Sequence, residues 1–159
     1  MKILKVESDK CTGCQNCSLA CSLTKFGVCN PHRAAIRVVK DPFERYEIPL
    51  VCNHCDEPVC EAICPQNAYR EGEFSVVHDD TKCILCGMCA MFCPNQGINF
   101  TGDALIKCDL CGGDPVCVKY CSTGAISYVE SEKVQADARL KQAGRVISSR
   151  TAHESTQPT

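Results

Sequence analysis

Cysteine is the residue type in this chain whose number and spacing can carry chemistry. Of 159 residues 17 are cysteine, and all but one of these fall into four groups of four. Within a group, two to five residues separate consecutive cysteines, so one short segment of chain carries all four thiols. The four quartets are Cys11, Cys14, Cys17 and Cys21; Cys52, Cys55, Cys60 and Cys64; Cys83, Cys86, Cys89 and Cys93; and Cys108, Cys111, Cys117 and Cys121.

The first and third quartets have gaps of two, two and three residues, which is typical of cubane [4Fe-4S] sites. Three thiolates on one tight loop can reach three irons of a cube. The fourth cysteine points away and ligates a neighbouring cluster. The second and third quartets end in Cys-Pro, whereas the first and fourth end in Cys-Ser. We therefore expect like quartets to exchange their last cysteines.

This pairing predicts four [4Fe-4S] clusters, each bound by three cysteines of one quartet and the last cysteine of its partner. The inner sets are Cys52, Cys55, Cys60 with Cys93, and Cys83, Cys86, Cys89 with Cys64; the outer sets are Cys11, Cys14, Cys17 with Cys121, and Cys108, Cys111, Cys117 with Cys21.

Two other uses of dense cysteine are less consistent with the spacing. Structural zinc sites usually combine two Cys-x2-Cys pairs that lie a dozen or more residues apart, and have little use for three ligands on one loop. A disulfide framework is typical of secreted proteins, and residues 1–10 contain no apolar signal region. We therefore expect a reducing, cytoplasmic location.

Several residues near the quartets have secondary roles in this interpretation. Cys29 lies outside every quartet and is expected to be an ordinary thiol. His54 is interpreted as a polar neighbour of a cluster, because four thiolates are already available there. Phe92 and Tyr120 are expected to shield cluster sulfur from water. Four lysines close to the quartets could tune the clusters or could simply be solvated: Lys10, Lys82, Lys107 and Lys119.

The composition agrees with an inorganic interior. Without cysteine, roughly a third of the chain is apolar, which is little for a core of this size. The formal net charge is -2, so nothing indicates a nucleic-acid surface. Four clusters of charge about -2 each would bring the total near -10. No stretch of the sequence is long and apolar enough to span a membrane.

The elements that must position the quartets are short. Strands are predicted at 3–6 and 125–129, and three hairpins at 34–39 with 45–51, 68–70 with 74–77, and 98–100 with 104–106. The internal repeat is quartet, strand, turn, strand, quartet. Residues 1–129 form the expected cluster domain, with an insertion at 22–51. Residues 130–159 are expected to form a C-terminal helix, ending at Gly144, and a flexible tail.

Electron transfer is the function that this pattern indicates. The sequence contains no Walker loop, no dinucleotide-binding glycine motif and no acid–base constellation, so we expect no catalytic residues. Clusters close to both ends of the domain also suggest that chains could associate and pass electrons between copies.

The segment from Pro49 to Pro65, with its Cys-x-His-Cys run and Pro58, resembles the four-cluster ferredoxin subunits of molybdenum and tungsten enzymes, hydrogenases and carbon monoxide dehydrogenases. The resemblance covers residues 1–129. It implies an α+β fold of two ferredoxin-like βαββαβ units and pairing of quartets one with four and two with three. It also implies electron transfer between a catalytic subunit and a second carrier or flavin subunit.

Within that family, the chain is similar to the small iron–sulfur subunits of tungsten-dependent aldehyde oxidoreductases. It departs from the common pattern in lacking proline after Cys21 and Cys121 and in its C-terminal extension, which suggests docking. The alternatives are a free polyferredoxin serving several enzymes, or a subunit of a hydrogenase, formate dehydrogenase or carbon monoxide dehydrogenase.

Overall fold

The structure, a computed structural model, describes residues 2–41 and 46–131 and is an α+β arrangement of short elements. The strands and helices in these residues are β1 (Lys2–Val6), α1 (Asn16–Phe26), β2 (Arg37–Asp41), β3 (Tyr46–Leu50), α2 (Val59–Ala62), β4 (Tyr69–Glu71), β5 (Val76–His78), α3 (Met88–Met91), β6 (Ile98–Phe100), β7 (Leu105–Lys107), α4 (Val116–Lys119) and β8 (Ile126–Glu130). The C-terminal helix predicted up to Gly144 lies outside the described residues.

The strands pair as four separate two-stranded antiparallel sheets. β2 pairs with β3, β4 with β5, and β6 with β7, which confirms the three predicted hairpins. The remaining sheet joins β1 to β8, with Leu4 opposite Tyr128, and so ties the start of the described chain to its end.

The strand predicted at 34–39 starts only at Arg37. The three residues before it are almost completely buried but are not in a ladder. Side chains satisfy two of their three carbonyls instead, because Asn99 Nδ2 donates to Ala34 O at 3.0 Å and Ser18 Oγ donates to Ile36 O at 2.9 Å. For residues 34–36 the apolar pattern therefore predicted burial correctly, but it predicted strand pairing wrongly.

The helices follow the order of the quartets. α1 carries the end of the first quartet, and α2, α3 and α4 are single turns inside the second, third and fourth. α1 packs against α4, and α2 packs against α3. The outer quartets are thus neighbours in space, and so are the inner ones.

The core of the described residues is small and contains many of the cysteines. One buried cluster is formed around Leu4, Ile36, Leu110 and Ile126, and includes five cysteines: Cys17, Cys21, Cys52, Cys108 and Cys117. A second is formed by Tyr69, Cys89, Ile98 and Leu105. Thiols occupy positions that aliphatic side chains fill in most domains of this size.

Within the described ranges, no helix has both the length and the apolar character needed to cross a bilayer.

Gly97 lies where the third quartet meets the second. A Cβ built on Gly97 would lie 2.5 Å from Cys52 Cα and 2.8 Å from Cys52 N. These are backbone atoms, so no side-chain rotation can relieve the overlap. The two inner quartets can approach this closely only because residue 97 has no side chain.

We expect Gly97→Ala to lower the free energy of unfolding by about 3 kcal/mol, at the upper end of overpacking effects. The control is Gly27→Ala, where φ is +68° and a Cβ meets nothing within 4 Å. There only the left-handed conformation is penalised, by about 1 kcal/mol. Denaturant unfolding of the purified holo-proteins measures both, and equal losses would contradict a close contact at Gly97.

Candidate metal centres

Four cysteines from two different quartets line one cavity of about 330 Å³. Cys52 and Cys55 come from the loop before α2, Cys60 from α2 itself, and Cys93 from the segment after α3. This is the first inner set that the sequence predicts. The volume and the four sulfur donors both fit a cubane cluster, which such thiolates bind.

The second inner set also meets at one cavity. Cys64, Cys83, Cys86 and Cys89 all line it, together with Tyr69 and His78. Its volume is only about 20 Å³, so the four sulfur donors, and not the cavity volume, are what indicates a cluster at this site. The structure therefore brings together the predicted residues of both inner sets.

The outer quartets are adjacent but less completely assembled. The thiols of Cys108, Cys21 and Cys111 are near enough to Cys117 to raise its pKa, although burial is the larger cause. This is the predicted set of the fourth quartet with Cys21. The thiols of Cys11 and Cys14 likewise help to raise the pKa of Cys17, for which burial is again the larger cause. Cys121 packs against the core cluster that contains Cys17, and its place in that set stays a prediction.

Burial raises the pKa of several thiols in these sets. It raises the pKa of Cys60 to about 11, and that of Cys108 to about 12. Ligation requires the thiolate, so a bound metal centre would have to supply positive charge that offsets this effect of burial. In the described ranges, no three His, Cys, Asp or Glu side chains meet closely enough to hold a single metal ion.

A recurring backbone feature surrounds the first cysteine of three quartets. The N–H of the residue two positions later donates to its Sγ, at 3.4 Å for Cys52 and Cys83 and 3.5 Å for Cys108. In each case the donor residue has a positive φ; the donors are His54 (+50°), Leu85 (+54°) and Leu110 (+58°). Gly13, with φ +64°, takes the equivalent place after Cys11.

A second feature surrounds the last cysteine of the inner quartets. Ala68 N donates to Cys64 Sγ and Gly97 N donates to Cys93 Sγ, both at 3.3 Å. The residue before each donor, Asn67 or Gln96, again has a positive φ. Cys21 instead accepts from Ala35 N at 3.4 Å, across the insertion.

These N–H donors stabilise negative charge on sulfur, which is one of the terms that set the potential of an iron–sulfur centre. Sequence reasoning missed them, because leucine and histidine rarely adopt positive φ and only Gly13 signals the turn. Three non-glycine residues in this conformation at equivalent positions indicate backbone strain that the cysteine loops impose.

The residues expected to have secondary roles differ in exposure. Cys29 is exposed. Tyr120 and Phe92 are 60% and 56% exposed, so only part of each ring can cover sulfur, and their shielding role stays a prediction. Of the four lysines, Lys107 alone is buried.

An ion pair joins α1 to the loop of the fourth quartet. Lys25 Nζ lies 2.7 Å from Asp109 Oδ2, and Asp109 Oδ1 accepts from Cys111 N at 3.0 Å. Burial opposes ionisation of Asp109, but the Lys25 ammonium and the Cys111 N–H outweigh it and keep the pKa of Asp109 below its usual value. The carboxylate thus connects the two outer quartets.

The cysteine cavities, short antiparallel sheets and single-turn helices define a ferredoxin-type iron–sulfur protein. The 4Fe-4S dicluster domain family matches residues 43–131, and the chain belongs to this family. Its relatives include a polyferredoxin-like oxidoreductase subunit, chains of anaerobic dimethyl sulfoxide reductases, a putative electron transport protein and a ferredoxin.

Three relatives illustrate this. The chain is 38% identical, over 73% of its length and 69% of the relative's, to the polyferredoxin-like subunit of an aliphatic sulfonate oxidoreductase from Pyrococcus furiosus. It is 30% identical to the probable anaerobic dimethyl sulfoxide reductase chain YnfG of Escherichia coli, over 82% of this chain and 74% of the relative. It is 37% identical to an uncharacterized ferredoxin of Methanocaldococcus jannaschii, over 82% of this chain and 74% of the relative.

We expect Asp109→Ala to lower the free energy of unfolding by about 1–2 kcal/mol, because it leaves Lys25, whose side chain is only 17% exposed, and the Cys111 N–H without their partner. The matched control is Asp114→Ala, which breaks the exposed pair with Lys119. That change should cost less than about 0.5 kcal/mol. Denaturant midpoints compare the two, and an equal effect would argue against the Lys25 connection.

Proposed function

We propose that this chain is a non-catalytic subunit that transfers electrons through four [4Fe-4S] clusters within an oxidoreductase complex. The observation that carries the proposal is the meeting of Cys93 with Cys52, Cys55 and Cys60 at one cavity, since an exchanged fourth ligand is typical of paired clusters. Bound clusters would supply one-electron redox centres, and the chain's residues hold them at fixed positions.

The proposed ligands are the sixteen quartet cysteines in the exchanged sets. Support for the inner sets comes from the two cavities, and support for the outer sets from the packing of α1 on α4 and the proximity of Cys21 to Cys117. The same nesting supports two ferredoxin-like units within a single domain of residues 1–129, one built from the inner quartets and one from the outer.

We propose two partners. One is a catalytic subunit of the tungsten or molybdenum type, preferably an aldehyde oxidoreductase, and the other is a second electron carrier or a flavin subunit. The resemblance of the cysteine motifs to those of small tungsten-enzyme subunits favours the aldehyde oxidoreductase. The names of the sulfonate oxidoreductase and dimethyl sulfoxide reductase relatives support a catalytic partner in general. We propose a cytoplasmic location, as the cysteine usage indicates.

The alternative function is a free polyferredoxin. The ferredoxin relative from M. jannaschii and the polyferredoxin-like name of the P. furiosus relative favour it. Gentle purification distinguishes the two, because a stable complex supports the subunit, whereas a monomer that reduces many acceptors supports the free carrier. Mass spectrometry of the co-purifying protein also separates the aldehyde oxidoreductase from a hydrogenase, formate dehydrogenase or carbon monoxide dehydrogenase.

Iron analysis tests the ligand sets. The holo-protein should contain about sixteen irons and sixteen sulfides per chain. Cys93→Ser should disturb the centre shared with Cys52, Cys55 and Cys60. The electron paramagnetic resonance signal of the centre at Cys83, Cys86 and Cys89 should stay intact. Cys29→Ser, which removes the exposed thiol outside the quartets, is the control and should keep all its iron. Loss confined to the centre of Cys83, Cys86 and Cys89 would contradict the exchange.

Removal of residues 131–159 tests the proposed docking role of the C-terminal extension. We expect the shortened chain to keep its full iron content, since the quartets end at Cys121, and to lose co-purification with the partner. Retention of the partner would show that docking lies elsewhere, and loss of iron would place the extension within the cluster domain. The two readouts are independent, so each outcome has one interpretation.

A further inference from the structure

A lysine precedes the first cysteine in three of the four quartets, but its environment differs. Lys10 before Cys11 and Lys82 before Cys83 are exposed, and Lys10 pairs with Glu7 at 3.0 Å. Lys107 before Cys108 is only 7% exposed. The lysine at this repeated position is thus exposed to water in the first and third quartets and buried in the protein interior in the fourth.

The ammonium of Lys107 is held by carbonyl oxygens. Nζ donates to Val76 O at 2.5 Å and to Cys108 O at 3.3 Å. Within residues 2–41 and 46–131, no carboxylate forms an ion pair with it, whereas the charge of the nearby Lys25 is balanced by Asp109. Lys107 therefore contributes, at a low-dielectric position, a positive charge that has no ion-pair partner in the described part of the chain.

Lys107 lines two cavities that contain quartet cysteines. One is the cavity of Cys52, Cys55, Cys60 and Cys93, and the other, of about 480 Å³, contains Cys108 and Cys111. Lys107 is also close enough to Cys60 and Cys55 to favour their thiolates against the dominant effect of burial, which favours the first cavity as the one that its charge acts on. The position of Lys107 in the cavity lining and its proximity to two of the four sulfurs are separate observations, and both place its charge beside this cysteine set.

His54 lines the same cavity and is 5% exposed, and neither ring nitrogen has a hydrogen-bond partner among the described residues. The backbone N–H of His54 donates to Cys52 Sγ at 3.4 Å. A hydrogen-bond donor therefore lies at one of the four sulfurs of this set.

The cavity also has acidic residues at its edge. Asp56, Glu71 and Glu73 are exposed and Glu61 is partly exposed. Water and salt screen charges at such positions much more than they screen a buried ammonium. Among the described charged residues that line this cavity, Lys107 alone is buried, so its charge is the least screened.

We propose that Lys107, assisted by the backbone N–H of His54, raises the reduction potential of the centre at Cys52, Cys55, Cys60 and Cys93, so that it is the first of the four to accept an electron. This proposal rests on the proposed function. Reduction adds one electron, supplied by the redox partner, and increases the negative charge of the centre. A fixed positive charge and a hydrogen-bond donor at the sulfurs stabilise that form.

The test is a redox titration of full-length holo-protein, followed by electron paramagnetic resonance. Lys107→Met removes the charge and keeps the length of the side chain. We expect at least a tenfold shift of the reduction equilibrium of the first-reduced centre towards the oxidised form, which is 59 mV for one electron. Lys82→Met is the matched control, because it makes the same change at the equivalent exposed position, and it should leave every centre unshifted.

No shift in Lys107→Met, an equal shift in Lys82→Met, or a shift confined to a later-reduced centre would each overturn the proposal. Iron content is measured alongside, so a wild-type protein without clusters overturns the proposed function instead. If Lys107→Met loses iron, Lys107→Gln is titrated, because it keeps an N–H donor for Val76 O. The same tenfold shift there supports the proposal, and loss of iron in both variants reduces Lys107 to a structural role.

Discussion

Negative sulfur taken out of water is the constraint on which this structure depends. Thiolates at buried and half-buried positions require compensation, and the chain supplies it with backbone N–H donors, one at each inner-quartet end and one two residues after Cys52, Cys83 and Cys108. Those donors reach sulfur because the donor residue itself, or the residue before it, adopts a positive φ. The conformation of the loops is therefore determined by the cysteine sulfurs, and the helices and strands are confined to the short segments between these loops.

This explains why regular structure is so short. Three of the four helices described are single turns, because each quartet bends the chain around its sulfurs before a longer helix can form. The strands described are three to five residues long and pair as four separate two-stranded sheets. Such sheets are marginal on their own, so the packing between them depends on close contacts such as Gly97 against Cys52.

Local spacing predicted much of this arrangement. The hairpins follow from turn residues between short apolar runs, and the meeting of Cys93 with the second quartet follows from like sequence after the last cysteine. The sequence pattern predicts a strand at residues 34–36, because burial and backbone pairing give the same apolar pattern. The positive φ of Leu85 and Leu110 and the burial of Lys107 have no sequence signal, since Lys10 and Lys82 occupy equivalent positions and are exposed.

The pairing of β1 with β8 has a consequence for biosynthesis. Residues 52–93 are contiguous, so both inner cysteine sets leave the ribosome before the fourth quartet is made. The proposed outer sets combine cysteines about a hundred residues apart, and β1 can pair only after β8 has been synthesised. Maturation of the nascent chain is thus expected to run from the middle outwards, with the joining of its first and last strands as the final step.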